Sequence, residues 1–147
     1  MNTADFEFSY DRFSATLTRN HRGLTTAQQL LAAMVAHWPT FTSTVLNGNA
    51  SIAIDQTGNI SGDVLGKQFE ITFDVVANDD QCRVEALILV PSIHADRKVE
   101  AGRFYFSPEG IVQTISNEVL LLEDEDVMSY RLLCAVLRKV LSSPRTA

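Results

Sequence analysis

The spacing of apolar and polar residues changes period twice along this chain, and each change marks a boundary between kinds of structure. Residues 5 to 10 alternate strictly, with Phe6, Phe8 and Tyr10 on one side and Asp5, Glu7 and Ser9 on the other. A period of two belongs to a half-buried strand. The pattern therefore predicts an N-terminal strand, and the polar run Asn20 to Gly23 reads as the loop after it. From Ala27 the step lengthens to three and four. Ala27, Leu30, Leu31, Met34, Val35 and Trp38 form one helical face. Thr25 with Gln28, or Thr26 with Gln29, has capping-box spacing at its start. Pro39 is expected to end the helix, because proline disfavours helical geometry in the residue before it. Residues 40 to 47 fit a short helix and an extended segment equally well.

Between 50 and 116 the period returns to two, in short runs broken by turn residues. Ile52 and Ile54 alternate with polar or small neighbours, and Thr57-Gly58-Asn59 is a turn. Residues 60 to 66 make a weak strand interrupted by Gly62. Residues 68 to 77 are the clearest strand, with Phe69, Ile71, Phe73 and Val75 inward. Asn78-Asp79-Asp80 is a hairpin turn. Residues 82 to 90 come back, apolar on both faces, as expected of a central strand. A polar loop over 92 to 102 precedes Phe104 and Phe106, and Pro108-Glu109-Gly110 turns into a strand over 111 to 115. Short strands joined by tight turns read as an antiparallel meander.

The last segment is a helix over 124 to 141. Glu123 to Asp126 stand at its start and Arg138 and Lys139 near its end, which suits the helix dipole. Val127, Tyr130, Leu133, Cys134, Leu137, Val140 and Leu141 form the predicted buried face, with Ser129, Arg131 and Lys139 outside. Leu132 and Val136 widen the apolar stripe beyond what one sheet contact needs. That surplus makes Leu132, Val136 and Tyr130 the candidate partner-binding residues. The fold class expected is α+β: a meander of about five to six strands, an N-terminal helix, and a long C-terminal amphipathic helix packed on one face. Residues 1–147 are expected to form one domain, with 1–23 as strand and loop and 142–147 as a polar tail.

Composition narrows the function rather than the fold. The net charge of −6 argues against nucleic acid and anionic membrane as partners. Residues 1 to 7 lack the basic start and apolar run of a signal peptide, so a cytoplasmic location is expected. Cys82 and Cys134 are too few for a disulfide framework and read as small buried hydrophobes. His21, His37 and His94 have no partner at metal-ligand spacing, and no phosphate-cradling glycine loop or nucleophile elbow occurs. No metal or cofactor is therefore expected. His37 suits a helix terminus. His94, Asp96 and Arg97 form the one dense polar cluster in a loop, a candidate polar site without a recognisable nucleophile.

The order of elements is similar to helix-grip, START-like folds, which clasp an apolar cavity between sheet and helix. In that case Phe69, Ile71, Phe73, Phe104 and Phe106 would line or fill the interior. The small acidic chain with its wide apolar last helix also resembles secretion-chaperone-type binding proteins, which usually dimerise. Its loop at 92 to 102 is short and polar for the dimer helix those proteins carry between strands. The leading expectation is a non-enzymatic binding or accessory protein, chaperone- or inhibitor-like, holding a protein partner or a second copy of itself. The alternative is a binder of a small apolar ligand, or an enzyme built on such a cavity.

Overall fold

The computed structural model describes residues 1–145 except 95 and 122–124, and only the backbone of 125 and 126. A long helix, α1 (Tyr10–Val35), leads into a short one, α2 (Trp38–Thr44). Among the described residues seven strands follow: β1 (Ala50–Ile54), β2 (Ile60–Val64), β3 (Lys67–Ala77), β4 (Cys82–Pro91), β5 (Lys98–Phe106), β6 (Val112–Gln113) and β7 (Val119–Leu121). Helix α3 (Glu125–Ser142) comes last. Each strand pairs antiparallel with the next, so spatial order repeats chain order from β1 to β7. The architecture is an α+β mix of two long helices and a curled, seven-stranded antiparallel sheet.

The core lies between the sheet and the helices. Ile60, Phe69, Ile71, Val84, Ala86, Ile88, Phe104 and Phe106 project from the strands against Leu31, Met34 and Val35 of α1, Trp38 of α2, and the buried stripe of α3. Register explains this face: Ile71 pairs with Ile60 and Ile88, and Ala86 with Phe73 and Phe104. β4 is the middle strand, and its second face mixes Leu87 and Leu89 with Arg83 and Glu85. Its second face is covered by long side chains rather than by another element. Leu87 sits between Thr72 and Arg103, and Glu85 between Asp74 and Tyr105. Tyr105 donates to Glu85 at 2.8 Å, and the buried Arg83 guanidinium lies 4.5 Å over the Tyr105 ring. Arg83 also donates to the carbonyls of Thr114 and Ile115, which ties the β6–β7 end to the centre of the sheet.

Several expectations are corrected. Residues 5–10 form no strand. Thr3–Phe6 is a 3₁₀ turn capped by Asn2, and Ser9 caps α1 by accepting from the Arg12 N–H. A strand needs an edge to pair with, and among the described residues no strand pairs with the segment. Asn20 to Gly23 lie inside α1, not in a loop. Asn20 is buried and donates to the Asn78 carbonyl at 3.1 Å. Gly23 sits where the helix presses on the sheet: a Cβ there would lie 2.7 Å from Cys82 Sγ and 3.2 Å from Pro108 Cγ. These polar and small residues are contact points of a helix, not breaks in one. Pro39 does not end α1, which stops at Val35. It occupies the first turn of α2, where its missing N–H costs nothing. The loop after β4 is shorter than 92–102 because β5 starts at Lys98, and β7 arises where no element was expected.

The face that α3 buries is rotated from the expected one. Met128, Ser129, Leu132, Leu133, Val136, Leu137 and Val140 are buried, while Val127 and Leu141 are exposed. Burying each such Leu or Val is worth about 1.5–3 kcal/mol, so this stripe anchors the helix. Ser129 is fully buried because it completes a polar joint between helices. Its Oγ donates to the Met34 carbonyl at 2.7 Å, and its own carbonyl accepts from Trp38 Nε1 at 3.1 Å. The Met34 carbonyl lies in the last turn of α1, where its backbone donor is the His37 N–H at a long 3.4 Å. Of the acidic run before α3, residues 123 and 124 lie outside the described residues, as do 146 and 147 of the tail.

Candidate functional site

A groove of about 610 Å³ lies among the described residues between α3 and the β5–β7 end of the sheet. Ile88, Phe104 and Val112 form its floor, all on the inward face of their strands. Leu120 and Leu121 of the edge strand β7 make one lip. The other wall is α3, presenting Tyr130, Arg131, Cys134, Ala135, Arg138 and Lys139. Gly102 lets this wall approach β5. A Cβ there would meet Lys139 Cγ and Cε at 3.1 and 3.2 Å, so the lysine stem lies across bare backbone.

The groove's charge departs from that of the whole chain. Arg103 contributes to its lining, but its guanidinium is committed to Glu100 and Glu85. That pairing holds the Glu100 carboxyl below the ordinary carboxylate range and raises Arg103. Arg131, Arg138 and Lys139 are exposed and, among the described residues, make no ion pair. No described carboxylate lines the groove. Three cations thus flank an apolar trough in a chain of net charge −6.

The structure brings the three α3 candidates to this one place in unequal roles. Leu132 and Val136 touch the groove from beneath but are core, 4% and 2% exposed. Tyr130 is half-buried and reaches the wall. Its ring stands edge-on to Phe41 at 5.5 Å. Its phenol is pushed above its usual value, chiefly by hydrogen bonding with the Cys134 thiol one turn on, with burial second.

His94, Asp96 and Arg97 sit exposed in the β4–β5 loop. The loop is organised by buried Ser92, whose hydroxyl exchanges hydrogen bonds with the His94 backbone and whose N–H donates to the Arg97 carbonyl. The three side chains make no hydrogen bond to one another. Cys82 is buried against α1, and burial pushes its thiol up. His37 lies exposed between α1 and α2 with its ring tilted on Phe41. Among the described residues no group of three or more His, Cys, Asp or Glu is placed to hold a metal ion, and no helix is long and apolar enough to cross a membrane.

Two surface features were not anticipated from the sequence. One is the cation row. Arg131 and Arg138 are seven residues apart, so they share a helix face at the border of the apolar stripe, a signal visible in the spacing. The other is the N-terminal arm. Phe6, Phe8, Tyr10, Phe13 and Leu17 are 45–82% exposed. The Phe8 ring packs on Tyr10 at 5.5 Å and Phe13 at 5.8 Å, so the cluster touches chiefly itself. No family model matches this chain, and comparison with characterised proteins and solved structures finds no match.

Proposed function

We propose that this is a non-enzymatic binding protein that holds an acidic, amphipathic segment of a protein partner in the groove beside α3. The observation that carries the reading is the groove's make-up: an apolar floor of Ile88, Phe104 and Val112 flanked by Arg131, Arg138 and Lys139, with no described carboxylate. An apolar trough takes side chains out of water, while cations on its rim select the sign of the partner and speed encounter. A segment with alternating or helically spaced large apolar residues and interspersed Asp or Glu fits both requirements. The groove volume of about 610 Å³ also supports a second reading, a small apolar ligand carrying an acid group.

The test is capture from the native host with the wild-type chain and with Arg131→Glu/Arg138→Glu, whose replaced side chains are exposed. The reading expects a partner retained by the wild type and lost by the variant, with matching circular dichroism and melting for the two proteins. Crosslinks from a photoreactive group on Cys134 should map to an acidic stretch of that partner. A partner captured equally by both proteins sinks the reading. So does a small anionic lipid-like molecule as the sole species carried through purification.

A further inference from the structure

The strongest unabsorbed feature is the N-terminal arm. Residues 5–10 carry the alternation of a half-buried strand, yet among the described residues no strand pairs with them, and their aromatics stand in solvent. Among residues before Asn20, only Thr16 is even half-buried. What ties this part of α1 to the sheet is the β3–β4 turn, where Arg19 donates to the Asp79 carbonyl. An exposed cluster of this size usually marks an interaction surface.

We propose that the arm of a second copy of this chain seats in the groove beside α3, giving a dimer in which each arm occupies its partner copy's groove. The proposal rests on the groove reading above and names the groove's resting occupant. Complementarity carries it. Residues 5–11 hold Phe6, Phe8 and Tyr10 together with Asp5, Glu7 and Asp11, and no basic residue. The groove offers an apolar floor and Arg131, Arg138 and Lys139. On seating, the Thr3–Phe6 turn unwinds while Ser9 still caps α1, and the extended segment puts Phe6 and Phe8 on one side and Asp5 and Glu7 on the other. Laid along the groove, the rings face the floor and the carboxylates stand level with the cations of α3. The arm then runs beside β7, a three-residue edge strand whose Val119 and Leu120 are about half exposed.

Reciprocal exchange follows from symmetry. A two-fold axis that brings one arm to one groove brings the other arm to the other groove. A protein partner of the kind proposed above must displace the arm, so the dimer regulates its own groove.

Charge reversal with rescue tests this on the full chain by sedimentation equilibrium. Removal of residues 1–8, which spares the Ser9 cap, is expected to weaken self-association at least about tenfold. Arg131→Glu/Arg138→Glu and, separately, Asp5→Lys/Glu7→Lys should each do the same, with melting temperatures unchanged. Mixing the two reversed proteins restores both arm–groove pairings, one with the native charges and one with them exchanged, and combining all four substitutions in one chain restores association to within about threefold of the original. A chain that is monomeric at every concentration overturns the proposal, as does a dimer indifferent to removal of residues 1–8. Association lost on arm removal but unaffected by reversal at Arg131 and Arg138 also overturns it, since the arms would then pair with each other. If a host partner is still captured by way of Arg131 and Arg138 while the chain stays monomeric, the groove reading stands and only its occupant is wrong.

Discussion

The first half of α1 and the whole of α3 are both helices rich in large apolar residues, and the fold treats them in opposite ways. α3 buries Met128, Leu132, Leu133, Val136, Leu137 and Val140 against the sheet. The first half of α1 leaves Tyr10, Phe13 and Leu17 in water. α3 is the more apolar of the two, but position relative to the sheet decides which of these side chains are buried. The buried half of α1 begins at Asn20 and Gly23, where the helix meets the β3–β4 turn and Cys82. Before that point there is no sheet beneath it to pack on. An apolar residue on a helix face is thus core or exposed according to what lies opposite, so the same pattern can mean stability in one place and recognition in another.

The sharpest way to break this comparison is to put one charge into each region. Val136→Asp, or Leu132→Asp, buries a carboxylate with no described cation beside it in the core, and should cost upward of about 4 kcal/mol, a large share of an ordinary domain's stability. Loss of the cooperative melting transition is the expected outcome. Phe8→Asp in the arm should shift stability by no more than about 0.5 kcal/mol. Equal effects at the two places would mean that the arm packs on the single chain after all.

A second variant probes where the exposed half of α1 ends. Gly23→Ala gains helix propensity of about 1 kcal/mol, but its Cβ meets Cys82 Sγ, and overpacking of this kind costs about 1–3 kcal/mol. A net loss is expected in chemical denaturation. Cys82→Ala in the same chain should return part of it as a favourable coupling. A plain gain from Gly23→Ala would show that the helix stands farther from the sheet.

Ser129→Ala leaves the Met34 carbonyl with only the long bond from the His37 N–H and should cost about 0.5–1.5 kcal/mol. Hydrogen exchange ought to show the effect at the α1–α3 junction and not in the arm. The smallest effect concerns Asp55 in the β1–β2 turn. The Thr57 hydroxyl and the backbone N–H groups of Thr57 and Asn59 hold its carboxyl below the ordinary value of 3.8. A lowered folded-state pKa means the unfolded chain takes up the proton first. The contribution is therefore complete above the ordinary value and disappears as pH falls through the lower, folded one. The melting difference between wild type and Asp55→Ala should accordingly shrink below about pH 4.

Much of the sheet was legible because register and period reinforce each other there. The Phe69 to Val75 alternation, its return through Val84 to Val90, and the Asn78 turn between them specify one hairpin and the inward face. The α3 candidates were legible as a place but not as roles. Eleven of the residues from 127 to 141 are apolar, so the stripe is too wide for periodicity to say which edge is core. Leu132 and Val136 fell on the inner edge, while the cations beside them mark the outer one. The 5–10 alternation was legible too, as a strand that the chain alone does not build.

The amino-acid sequence determined the α+β class, the meander and the existence of the last helix, because those depend on period, turn chemistry and capping along contiguous residues. Tertiary structure decided the rest: that Asn20 and Gly23 are helix contacts, that Ser129 is a buried joint, that three cations surround an apolar trough, and that the arm has nothing to lie on. Each of these depends on what a distant segment places opposite a residue, and one-dimensional spacing carries no record of that.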